Sequence, residues 1–165
     1  MYKFSLIVLF SLFISNIYGQ DNQKDLFIEA DTKVLNKEQK KLYDNIINHK
    51  TVVASSLYKL NLSAINNKQE KIDIKFKVNK FSVEILKCSI KKGKSRGVDR
   101  IFVDLESEGN NSVTIVINPT KSIASGLIYY GIAAPNNNSK IYSIEPVGDG
   151  YHVICLIDQT KFPKD

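Results

Sequence analysis

Apolar and polar residues alternate with a period of two along much of this chain. From Lys71 to Val78, the residues Ile72, Ile74, Phe76 and Val78 alternate with lysines and an aspartate. Successive side chains of a strand point to opposite faces, so the pattern predicts a strand buried on one face. Phe81, Val83 and Ile85 resume the alternation in a second strand over 81–90, and Asn79-Lys80 between them suits a hairpin turn. Further strands are predicted over 51–62, 101–105, 112–118 and 126–133, with 26–34 weakly strand-like. The two most apolar runs, 141–147 and 151–158, flank Gly148-Asp149-Gly150, residue types that tolerate positive φ in tight turns. Pro146 ends the first of these runs, where a missing N–H does least harm to a ladder.

One segment follows a helical period instead. Asn36 with Gln39 three residues on is a capping-box pattern. Beyond it, Leu42 and Ile46, and Tyr43 and Ile47, fall at spacings of four, with Lys37, Lys40, Lys41 and Asp44 outside. Residues 91–100 read as a basic, glycine-containing loop. Seven or eight short strands at roughly ten-residue spacing predict a mainly β fold. The expected form is an antiparallel sandwich or barrel with one short N-terminal helix. No repeat or linker divides residues 20–165, which are expected to form a single domain.

Residues 1–19 read as a signal peptide. Lys3 opens it, Phe4 to Ile14 form its apolar stretch, and Gly19 is the small residue before a cut at Gln20. That stretch is short for a membrane span. The expectation is a secreted or periplasmic protein with no membrane attachment after cleavage. Cleavage removes one lysine from a formal charge of +6, leaving a positive excess that favours acidic partners. With 43% hydrophobic and 24% charged residues, the 165-residue chain has the composition of a folded domain and not of a disordered tail.

The chemical inventory is thin. His49 and His152 are far apart, and the sequence contains no His-Glu-x-x-His, Cys-x-x-Cys, Gly-x-Ser-x-Gly or phosphate-binding glycine loop. No catalytic residue, metal ligand or cofactor is assigned, and the chain is not expected to be an enzyme. His152, alternating within an apolar strand, reads as a structural histidine. Cys88 and Cys155 both fall in predicted strands, where a disulfide and two buried thiols are equally consistent with export. The strongest charge feature is the cluster Lys91, Lys92, Lys94, Arg96 and Arg100, a candidate patch for an anionic partner. Asp99 interrupts it and no stacking aromatic is interleaved, so nucleic acid is not the expected partner.

Several pieces taken in order carry a resemblance. They are Tyr58-Lys59-Leu60-Asn61-Leu62, the alternating strands from Ile72 to Ile90, and Ser112 to Asn118 followed by Gly126-Leu127-Ile128. The last are Tyr142 to Val147, His152-Val153-Ile154, and Asp158 to Pro163. Over about Leu57 to Pro163 the chain resembles the N-terminal prodomain of secreted reprolysin-like (adamalysin-type) zinc metalloproteases. The resemblance implies a β module that packs on a metalloprotease catalytic domain and blocks or chaperones it. Hydrolysis does not carry over, because the zinc-binding His-Glu-x-x-His helix is absent from this sequence. Neither cysteine matches the position from which some related prodomains place a thiolate on the zinc. The expectation is a secreted module that binds a zinc metalloprotease catalytic domain in trans. Phe162, Pro163, Lys164 and Asp165 are its candidate contacts in the protease cleft. Two other expectations stand beside it: a remnant of a truncated protease precursor, and a surface β-sandwich that engages glycans or host proteins through 91–100.

Overall fold

Seven consecutive strands run as a meander, and two earlier ones join its far edge. The computed structural model describes residues 24–66, 68–79, 81–105, 112–130 and 140–162. The signal-peptide expectation for 1–19 and the tail residues Pro163, Lys164 and Asp165 lie outside that set. The strands are β1 (Phe27–Glu29), β2 (Val52–Leu60), β3 (Lys71–Val78), β4 (Phe81–Ser95) and β5 (Val98–Leu105). They continue as β6 (Ser112–Asn118), β7 (Ile123–Tyr130), β8 (Lys140–Gly148) and β9 (Tyr151–Ile157). All pairings are antiparallel, in the order β1-β2-β9-β8-β7-β6-β5-β4-β3.

Among the described residues one sheet holds all nine strands, and no second sheet faces it as in a sandwich. The sheet curls until β3 lies beside β1 and β2, giving a nearly closed barrel. Side chains bridge the remaining seam. The Tyr58 hydroxyl donates to the Lys77 carbonyl and accepts from the Lys77 N–H at 2.8 Å. The Asn79 N–H donates to Ser56 Oγ at 3.2 Å, and Lys75 Nζ lies 3.0 Å from Asp25 Oδ1. The two Tyr58 bonds occupy edge groups of β3 that a barrel strand would otherwise pair.

The interior is filled by the inward half of the alternation. Ile72, Ile74, Phe76 and Val78 are all buried, as the pattern of β3 predicts, and meet Ile115, Ile117, Ile128, Tyr142, Ile144 and Ile154. Phe76 and Tyr142 pack edge to face with centroids 5.2 Å apart. Each large aliphatic side chain taken from water contributes about 1.5–3 kcal/mol. Gly126 marks the tightest approach: a Cβ there would lie 2.2 Å from the Thr114 carbonyl oxygen.

A second cluster sits outside the barrel. Leu57, Val147, Val153 and Cys155 point outward from β2, β8 and β9, beneath the helix α1 (Lys37–Ile47). Tyr43, Ile46 and Ile47 of α1 pack on them. The capping box is complete: the Asn36 side chain accepts from the Gln39 N–H and the Gln39 side chain from the Asn36 N–H, each at 2.9 Å. Gln39 is itself buried, and its Nε2 donates to Asp149 Oδ2 at 2.9 Å, tying the helix start to the β8–β9 turn. At roughly 100° per residue Gln39 falls within the arc of Tyr43, Ile46 and Ile47, and Leu42 falls at its margin. Leu42 is accordingly half exposed, against the expectation that it packs inward.

Other expectations are corrected. Residues 91–100 form a hairpin and not a loop: Lys91 pairs with Phe102 and Ser95 with Val98, around a turn at Arg96 and Gly97, whose φ values are +52° and +77°. This part of the hairpin carries lysines on both faces, so no apolar period marked it as strand. Only Phe27–Glu29 of 26–34 is strand, followed by a 3-10 turn at Thr32–Val34, and β7 begins three residues earlier than expected, at Ile123. Cys88 lies in the interior cluster and Cys155 in the outer one. Both are thiols, and the candidate disulfide is not formed, because the sheet itself separates them.

Candidate functional site

α1 covers only part of the outer face. Beside it runs a groove of about 560 Å³. Its helix-side wall is Leu42, Asn45 and Ile46, continued by His49, Thr51 and Val52. Its floor and far wall are the outward residues of three adjacent strands: Leu127 of β7, Ile141, Ser143 and Glu145 of β8, and Ile157 of β9. Phe162 closes one side. The antiparallel register brings these together, since Leu127 pairs with Ser143 and Ile141 with Ile157. Leu42, Leu127 and Phe162 are 50%, 58% and 50% exposed, so large apolar side chains face solvent around one concavity.

The polar groups in the groove are few. His49 Nδ1 lies 2.8 Å from Thr51 Oγ1. Glu145 stands at the wall, and partial burial of its carboxyl, which disfavours the charged form, raises it above the ordinary carboxylate range. Below the floor, burial pushes the Cys155 thiol up to about 12, with the nearby Glu145 charge acting the same way and the Ser143 hydroxyl opposing it. A thiol held that high is not a nucleophile at neutral pH. An apolar concavity of this size with a few polar groups is the ordinary form of a binding site.

The residues singled out in the sequence are distributed as follows. Phe162 stands at this groove. Lys92, Lys94 and Arg100 line a different groove, of about 480 Å³, at the end of the barrel, whereas Lys91 and Arg96 do not line it. His152 is wholly buried in the barrel, and its Nε2 accepts from the Ala124 N–H at 2.8 Å. Burial lowers it to about 4, with the Gly150 carbonyl opposing the shift and Lys59 adding to it. It is a neutral structural residue, as its position in an apolar strand suggests. Among the described residues, no three His, Cys, Asp or Glu side chains are grouped so as to hold a metal ion, and no helix is long and apolar enough to cross a membrane.

The groove beside α1 escaped sequence reasoning because its walls come from segments about eighty residues apart. Leu127 was the available signal on the sheet side, whereas Leu42 was hidden by its spacing of four to Ile46, which reads as inward packing. No family model, curated protein or solved structure matches the chain.

Proposed function

We propose that this chain is an exported protein-binding module whose working surface is the groove between α1 and the outer faces of β7, β8 and β9. The observation that carries this reading is the ring of half-exposed apolar side chains, Leu42, Leu127 and Phe162, around one concavity. Such side chains serve as anchors when a partner covers them and excludes water. The resemblance to metalloprotease prodomains supplies the partner class: a secreted zinc metalloprotease catalytic domain, bound and inhibited or chaperoned in trans. Phe162 supports this choice of surface, since it is the first residue of the segment expected to reach the protease cleft and it lines the groove.

The test is capture of a zinc protease from the secreted proteins of the source organism, with its activity followed as purified protein is added. Stoichiometric loss of activity, relieved by Leu42→Asp or Leu127→Asp, is the expected result. Both substitutions are at solvent-facing positions and leave the barrel intact. A folded protein that neither captures nor inhibits any zinc protease would sink the proposal.

A further inference from the structure

The hairpin of β4 and β5 extends beyond the barrel and overhangs its end. Between it, the 3-10 turn at Leu62–Ala64 and Pro119 lies the groove of about 480 Å³ that holds Lys92, Lys94 and Arg100. Leu62, Ile65, Ile101 and Pro119 give it apolar walls, and Asp99 is the one carboxylate among its described lining residues. Three cations against one anion leave the groove positive. Lys92 Nζ donates to the Asn66 carbonyl at 2.7 Å, which anchors the hairpin over the turn. Arg100 is half-buried and donates one N–H to the Asp99 carbonyl at 3.1 Å, which fixes the guanidinium and leaves further donors available.

We infer that this groove binds a free aliphatic carboxylate, with the anionic head on Lys94 and Arg100 and the hydrocarbon against Leu62, Ile65, Ile101 and Pro119. Guanidinium and carboxylate match in geometry and form the stronger, charge-assisted class of hydrogen bond. The apolar walls would be idle under a purely ionic ligand and are used by an alkyl chain. A polyanion fits less well, because it needs cations along a track, and Lys91 and Arg96 stand outside the groove. This site is separate from the groove beside α1 and does not depend on it.

The test uses the purified protein and decanoate, below its micellar concentration, in a calorimetric titration. The expected result is saturable binding of one equivalent. The double substitution Lys94→Gln/Arg100→Gln weakens it roughly tenfold or more. Lys91→Gln/Arg96→Gln, which removes the same charge outside the groove, leaves it unchanged. Circular dichroism of both variants verifies the fold. No saturable binding overturns the inference. Equal weakening by the two pairs overturns it too, by showing a general field in place of a site. So does equal binding of decyltrimethylammonium, or preference for a heparin hexasaccharide over decanoate.

Discussion

The backbone N–H of Ala124 donates to Nε2 of His152 across 2.8 Å, inside a barrel that admits no solvent to the ring. Because Nε2 accepts, Nδ1 carries the proton and donates to the Gly150 carbonyl at 2.9 Å. One neutral tautomer satisfies two backbone groups, one at the start of β7 and one at the β8–β9 turn. Protonation at Nε2 would break the bond to Ala124.

Stability should therefore depend on pH in a defined direction. The ring is lowered from 6.5 to about 4 in the folded protein, so below pH 6.5 the unfolded chain takes up a proton that the native ring refuses. The contribution is fully present above pH 6.5, falls as pH drops towards 4, and amounts to about 3 kcal/mol. Urea midpoints measured from pH 7.5 to 4 should fall over that window. His152→Gln should be less stable at pH 7 and should flatten the dependence.

Tyr58 offers a test of the seam. Its hydroxyl bonds both backbone groups of Lys77, so Tyr58→Phe leaves an N–H and a C=O without their partner. The expected loss is about 1–3 kcal/mol. Hydrogen exchange at the Lys77 amide should accelerate more than at the interior amides of β6. An unchanged exchange rate would mean that the seam is closed by other contacts.

Gly126 and Gly97 should respond very differently to alanine. At Gly126 a Cβ meets the Thr114 carbonyl oxygen at 2.2 Å and the Ile115 Cα at 2.8 Å, both backbone atoms that cannot move aside alone. Gly126→Ala should cost about 3 kcal/mol or more, or prevent folding. Gly97 has open space around it and a φ of +77°, so Gly97→Ala should cost about 1 kcal/mol from backbone conformation alone. Thermal unfolding of the two variants separates the cases.

The cysteines should behave as buried thiols. Mass analysis without reductant should find two thiol hydrogens, and a thiol reagent at pH 8 should leave Cys155 unmodified until the protein is unfolded. Rapid alkylation of Cys155 in the native protein would contradict its place beneath α1.

Much of the barrel was legible because strands such as β3 and β6 bury one face and turn the other to water. The alternation of Ile72 to Val78 states which side is inward, and the turn Gly148-Asp149-Gly150 and the cap at Asn36 are local chemistry. Residues 91–100 were not legible as strand, since their lysines face solvent on both sides and their pairing rests on backbone bonds alone. Gln39 was read as half of a cap and not as a buried tie to Asp149, because that partner is 110 residues away. The seam is of the same kind: nothing near Tyr58 in sequence indicates that Lys77 will receive its hydroxyl. Both candidate grooves depend on register and on where α1 and the β4–β5 hairpin lie, and neither is a property of any single segment.

Ile74, Val78, Val103, Ile115, Ile117 and Ile144 have no measurable exposure, and they occupy the volume that a hollow barrel would offer to cargo. Across the described residues the staves therefore enclose packed side chains in place of a hollow. Both proposed grooves lie on the exterior, so their lining can be changed in α1, in Leu127 or in the β4–β5 hairpin without repacking the staves. Selection on recognition and selection on folding then act on largely separate sets of residues.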